Sequence, residues 1–347
     1  MNVFKGRAFR FWSAYTLGML RWLPRSAAAA AGEHARHVHD YLGTYRRRFT
    51  ILDDCLELWF LGGTTADLVP LLFGERFAAV WYRGVLVDPG SVRMRRSLRS
   101  HLAVPGRPVT AVTATHSHEE HTGNLRWAAD HLHASLHLPD AVAQQLRAPA
   151  RLPIMRDFAF GNPPAVTGTV HDTSEGIALP DGQLEVIAAP GHNSDHVVLY
   201  DRRQRVLLVG DTFIGAYFSA SNAETDGTAW LATLEDLLTL DFDLMVEGHG
   251  RVHTLRRDVP DIPGVVVRDD PRRIMENKLG FLQGLAERAQ HARNQGLSFN
   301  RAVAEAFPWE QRPSWERLIP DELARLTSLG EFSRHRLVRS LFTPTQQ

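Results

Sequence analysis

Short apolar runs alternate with polar, turn-forming segments along most of the chain, and their spacing predicts interleaved strands and helices. Val80-Trp-Tyr82 and Val85-Leu-Val87 flank Arg83-Gly84, which predicts a hairpin leading into Asp88-Pro89-Gly90. Ser91 stands where a cap is needed for a helix running to about Leu102. Residues 109–114 are apolar, partly β-branched and follow a Pro-Gly-Arg-Pro turn, so they predict a buried strand. A helix is expected near 125–130, then a strand over 131–138 with its even-numbered residues apolar. His131, His133 and His137 then share the other, solvated or helix-covered, face of that strand. Further strands are expected at 184–189, 197–200, 206–209 and 243–246, with an amphipathic helix over 230–240.

Both ends differ from this body. Residues 33–50 look helical and polar, and the strand-rich part begins near Phe49. Beyond about Pro263, residues 274–292, 299–307, 315–327 and 332–341 all have helical spacing. The expected division is an N-terminal helical segment (1–50), a layered α/β body (51–262) and a C-terminal helical region (263–347). The apolar stretch 11–20 is too short to span a bilayer. Wound as a helix, the segment around it puts Arg7, Arg10 and Arg21 on one face, so residues 1–25 offer either a peripheral membrane contact or, preferably, a helix packed on the body.

Composition narrows the function classes. The formal net charge is +0, which gives no strong nucleic-acid signal and no acidic tail. Cys55 is the single cysteine, so the chain can form no internal disulfide or multi-thiolate metal site, and a reducing, cytoplasmic compartment is favoured. A small-molecule substrate is the expected partner. The oligomeric state is not legible.

The strongest chemical signal lies directly after the 109–114 run. Thr115-His-Ser-His-Glu-Glu-His121 places three imidazoles and two carboxylates at a strand mouth, the donor mixture a divalent metal needs. His116 and His118 project to one side of extended backbone, whereas Glu120 and His121 lie where the chain turns into a helix. One loop can therefore serve two ions. Further candidates also follow apolar strands: His192 in Pro-Gly-His, Asp211 in Gly-Asp-Thr-Phe and His249 in Gly-His-Gly.

In this order the motifs resemble the metallo-β-lactamase superfamily, over roughly residues 51–252. The resemblance implies an α/β fold, a four-layer αββα sandwich, with the helical C-terminal region as an addition. It implies that His116, His118 and His192 hold one metal, that Glu120, His121 and His249 hold a second, and that Asp211 bridges them. Asp88 is expected to support the ligands. Position 120 departs from the family, which usually has aspartate there; the extra methylene displaces the carboxylate by roughly one C–C bond. Glu119 is expected to be a solvated neighbour.

The implied chemistry is hydrolysis. A bridging hydroxide on two divalent ions, zinc by default with iron or manganese as alternatives, attacks an ester-like bond. Glu120 and Asp211 are the expected catalytic carboxylates. Pro-Gly-His followed by Gly-Asp-Thr-Phe looks most like the glyoxalase II-like and related hydrolase branches, which favours a thioester or lactone, with a phosphodiester as an alternative. Two other classes remain open: an iron redox enzyme, persulfide dioxygenase-like or diiron, and a metal-binding sensor with weakened catalysis. Arg272, Arg273 and Lys278 are read as a solvated helix face rather than as an anion site.

Overall fold

A computed structural model describes residues 39–67, 76–215, 221–307 and 332–342. The sequence-predicted segment 1–25 and the helix at 315–327 lie outside them. Among the described residues two mixed sheets stand face to face. The first has six strands in the order β1 to β6: Arg48–Leu52, Leu56–Leu61, Phe77–Tyr82, Val85–Val87, Ala111–Thr113 and Ser135–Leu136. The second has seven, in the order β13 to β7. By chain position these are β7 (Ile177–Leu179), β8 (Gly182–Ala188), β9 (Val197–Asp201), β10 (Val206–Gly210), β11 (Leu244–Glu247), β12 (Val252–Thr254) and β13 (Val266–Val267).

The side-chain period of two divides each strand between two cores. In β3, Ala78, Val80 and Tyr82 enter the layer between the sheets, whereas Phe77, Ala79 and Trp81 face outward. In β10, Val206 and Leu208 point inward and Leu207 and Val209 outward. Both faces are covered, which is why β9 and β10 are buried at every position. The outer face of the first sheet lies under helices Arg95–Leu102, Leu125–Leu132 and Asp140–Arg147. The outer face of the second lies under Gly227–Leu237, Pro271–Asn294, Phe299–Ala306 and Arg334–Ser340. The result is the expected αββα sandwich with a helical C-terminal segment. Each fully buried Leu, Val or Phe contributes about 1.5–3 kcal/mol, so Leu208→Asp, which also strands a charge between the sheets, should prevent folding.

Several local expectations need correction. The helix predicted over 125–130 continues to Leu132, and the strand predicted over 131–138 shrinks to Ser135–Leu136. His131 consequently sits on the helix, its ring stacked on Trp127 one turn earlier. His137 instead stacks on His171. Ser91 occupies the N-cap position of the helical stretch after β4, but its hydroxyl makes no capping bond. Arg272 is not solvated, since its guanidinium donates to the carbonyls of Leu238 and Leu240. Lys278 is completely buried, and only Arg273, paired with Asp269, is exposed as expected.

Two adjacent parallel pairs position the chemistry. β4 runs parallel to β5 in one sheet, and β10 parallel to β11 in the other. Their C-terminal ends meet at one edge of the sandwich, where the Val197 N–H donates to the Thr115 carbonyl and joins the two sheets.

Candidate metal centre

Each candidate ligand follows the C-terminal end of a strand. β5 leads to His116 and His118, β8 to His192, β10 to Asp211 and β11 to His249. His118 is the extended N-cap residue of the short helix Glu119–Thr122, so the backbone changes from extended to helical inside the motif. That change sends His116 and His118 one way and His121 another.

The ligating atoms converge. His116, His118 and His192 each bring one nitrogen into a group whose members lie within 4.8 Å of one another, and His116, His121 and Asp211 form a second such group. Asp211 is the hub. Its Oδ2 lies 3.4 Å from His249 Nε2, 3.5 Å from His121 Nε2, 3.7 Å from His192 Nε2 and 4.0 Å from His116 Nε2. His118 enters through Nδ1, which is 3.2 Å from His192 Nε2. Glu120 falls in neither group, although its Oε2 is buried without a hydrogen-bond partner among the described residues.

Orphaned buried atoms test whether these residues suit a metal. His116 Nε2, His121 Nε2 and Asp211 Oδ1 are buried, make no hydrogen bond among the described residues, and belong to the residues of the cluster. Leaving such a donor or acceptor unsatisfied costs about 1–3 kcal/mol each, and a cation satisfies them together. The donor set of imidazoles and a carboxylate suits a divalent ion of borderline softness.

The partners behind the ligands fix which nitrogen is free. His249 Nδ1 lies 2.8 Å from the Arg76 carbonyl, an acceptor only, so the proton is on Nδ1 and Nε2 faces Asp211. The Asp88 carboxylate accepts from the Thr115 N–H at 2.8 Å and the Thr115 hydroxyl at 2.9 Å, and lies 3.0 Å from His121 Nδ1. With the Thr115 hydroxyl donating to Asp88, its lone pair accepts from His116 Nδ1, 3.0 Å away. One carboxylate thus orients two imidazoles with their Nε2 atoms toward the cluster. His196 Nε2 accepts from the Asp211 N–H at 3.0 Å, and its ring stacks on His116.

The electrostatics match. Without metal, burial pulls His121 down, but Asp211 and Asp88 outweigh it and hold its pKa well above the usual imidazole value. Burial and the neighbouring imidazoles keep His116 well below it. Burial favours the neutral Asp211, yet His121 and His249 overcome this and keep it ionised far below the ordinary carboxylate range. Two glycines make room. Gly210 has φ +49°, and a Cβ there would meet Thr115 Oγ1 at 2.7 Å. A Cβ at Gly248 would meet Asp211 Oδ1 at 2.2 Å.

Glu119 is buried rather than solvated, because Arg156 from helix Ile154–Phe160 binds both of its oxygens, at 2.7 and 2.5 Å. Sequence pattern does not point to Arg156, His196 or Glu224 as parts of this site. His196 follows His192 by four residues, but only the fold shows that it reaches the next loop. Glu224 lies in a polar run without periodicity and gives no signal at all.

Comparison with known proteins agrees with this geometry. Residues 83–249 match the family model for the metallo-β-lactamase superfamily. The chain is 34% identical over 170 residues to the 2,4-dinitroanisole O-demethylase subunit alpha of Nocardioides sp. (strain JS1661), covering 47% of this chain and 46% of that protein. It is 30% identical over 156 residues to a hydroxyacylglutathione hydrolase of Thiobacillus denitrificans, covering 43% and 50%. It is also 30% identical over 184 residues to the acyl-coenzyme A thioesterase MBLAC2 of Gallus gallus, covering 48% and 60%. The chain therefore spans about half the length of these curated relatives. A metallo-β-lactamase family protein from Thermus thermophilus shares the fold with a TM-score of 0.54 and 19% identity, covering 78% of this chain and 93% of that one. A β-lactamase domain protein from Burkholderia ambifaria gives 0.55 and 15%, covering 81% and 89%. With five imidazoles and a carboxylate gathered at the sheet edge, the domain formed around residues 83–249 belongs to the metallo-β-lactamase superfamily.

Proposed function

We propose that this protein is a metal-dependent hydrolase that holds two divalent ions, zinc by default, and cleaves a thioester or a related ester such as a lactone. The observation that carries the reading is the position of Asp211 Oδ2, within 4.0 Å of the Nε2 atoms of His116, His121, His192 and His249. A shared carboxylate surrounded by imidazoles on two sides is what a pair of ions requires. Preference for a thioester rests on the similarity to the hydroxyacylglutathione hydrolase and the acyl-coenzyme A thioesterase.

His116, His118 and His192 would hold one ion and His121 and His249 the other, with Asp211 between them. Bound there, the ions would supply a water of lowered pKa and a Lewis acid for the carbonyl oxygen. The residues around them keep this arrangement ready. Asp88, Thr115 and the Arg76 carbonyl orient His121, His116 and His249 with Nε2 toward the site; His116 is neutral and ready there, whereas His121, charged without metal, gives up its Nε2 proton on ligating. Burial pushes the Glu120 carboxyl up, but the charges of His118, Arg156 and His121 prevail and leave it below the ordinary range. An ionised carboxylate at this position can accept a proton from the attacking water.

Metal analysis combined with a substrate panel tests the reading. Two zinc ions per chain with turnover of a thioester or lactone supports it. Iron with oxygen uptake points instead to a redox enzyme. Bound metal without turnover of thioester, lactone, ester, lactam, phosphodiester or aryl methyl ether points to a sensor.

A further inference from the structure

His118 differs from the other clustered imidazoles in what stands behind it. Its Nδ1 faces His192 inside the cluster, while its Nε2 lies 3.2 Å from Glu224 Oε2. A carboxylate only accepts, so the imidazole proton is drawn to Nε2 and the Nδ1 lone pair is left facing the cluster. The Glu224 side chain is 54% exposed, whereas the matching supports of His116 and His121, Thr115 and Asp88, are buried. Its placement is nonetheless specified. The Glu224 N–H donates to Asn222 Oδ1 at 2.9 Å. Thr225 Oγ1 lies 3.1 Å from both Asn222 Oδ1 and the His192 carbonyl. Asn222 Nδ2, itself a donor, stands 3.4 Å from His118 Nε2, farther than the Glu224 carboxylate and without a bond to the protonated nitrogen. The loop 221–225 therefore touches two ligands of the same group, His118 through Glu224 and His192 through Thr225.

From this arrangement we infer that Glu224 is a positioning residue which selects the ligating tautomer of His118, so that a surface carboxylate governs how tightly the His116/His118/His192 group holds its ion. The inference rests on the metal-centre reading proposed above, not on the identity of the substrate. Water competes for Glu224 as it does not for Asp88, so this group should release its ion more readily than the group built on His121 and Asp211.

The test is metal affinity in the full chain, measured by chelator competition with Zn2+ and Mn2+, for the wild type, Glu224→Ala and Glu224→Gln. Removing such an outer partner typically weakens affinity by about 10–100-fold, and Glu224→Ala should lose that much at one of the two ions. Glu224→Gln keeps an oxygen that accepts from Nε2 and should recover most of the loss. In Co2+-loaded protein, the visible absorption bands of that ion should shift in Glu224→Ala, a change that a merely structural role would not cause. Affinity within twofold of wild type in Glu224→Ala overturns the inference. So does misfolding of both variants, or a Gln variant as weak as Ala. The readout is metal and not turnover: a wild type that binds two ions but cleaves nothing refutes the hydrolase and leaves this inference intact, whereas a wild type that binds no metal overturns both.

Discussion

Two of the regions that bury charge among the described residues differ in what surrounds it. At the sheet edge, His116, His121, His192 and His249 turn their Nε2 atoms toward Asp211, and Thr115, Asp88 and the Arg76 carbonyl fix the His116, His121 and His249 rings from behind. Under the C-terminal helices, Lys278 from helix Pro271–Asn294 is buried against aromatic carbon, its Nζ 5.1 Å from the Trp230 ring centre and 3.4 Å from the Gly215 carbonyl. Burial lowers its pKa to about 7, with Glu247 opposing. Convergent buried groups with orphaned atoms mark a place prepared for a cation from outside. A buried ammonium against rings marks a cost in stability, without a shared focus for chemistry.

Removing the hub should have the largest effect. Asp211→Ala deletes the atom that four imidazoles face and should lower turnover by about a thousandfold or more, several kcal/mol of transition-state stabilisation. Bound metal should fall from two ions toward one, as read by elemental analysis of the purified variant. Unchanged activity and stoichiometry would remove the distinction between the regions.

Asp88→Ala comes next. It strips the acceptor from His121 and Thr115 together. Metal affinity should fall by about 10–100-fold while the sandwich still folds, which chelator titration and circular dichroism check side by side.

Lys278→Met probes the other region and should leave metal affinity unchanged. The folded-state pKa of Lys278 is depressed from 10.5 to about 7, so between these values the unfolded chain binds more protons and stability rises with pH. The penalty is complete below pH 7 and gone above about 10.5. The substitution should therefore stabilise the protein by a few kcal/mol at pH 6 and much less at pH 10, visible in urea midpoints at the two pH values. A constant difference across that range would contradict the burial of a charge there.

Glu120→Asp should have the smallest effect. It shortens a carboxylate that belongs to neither three-ligand group, and the second ion should bind equally well or up to about tenfold more tightly. A large loss of metal would show that the longer side chain is itself a ligand.

Much of the sheet edge is legible because its candidate ligands follow strands whose apolar runs are unmistakable. The hairpin around Arg83-Gly84 and the strands leading to His116, Asp211 and His249 all form as their patterns imply. The strand expected over 131–138 was mostly not formed, because alternation over a few residues cannot compete with a helix that already buries Leu125, Ala128 and Ala129. Glu119 and Arg156 illustrate a different limit. They are 37 residues apart, and a charged residue beside a motif looks solvated until the fold supplies its counter-ion. Lys278 misleads for the same reason, since one cation on an amphipathic helix shows nothing of the Trp230 ring that covers it.

The most direct test is the metal content of the wild-type chain after loading with zinc and removal of excess, measured together with thioester turnover. Two ions per chain are expected, one readily removed by chelator, with turnover lost as they are stripped and regained on reloading. A chain that stays metal-free, or cleaves substrate equally well without metal, would contradict this expectation.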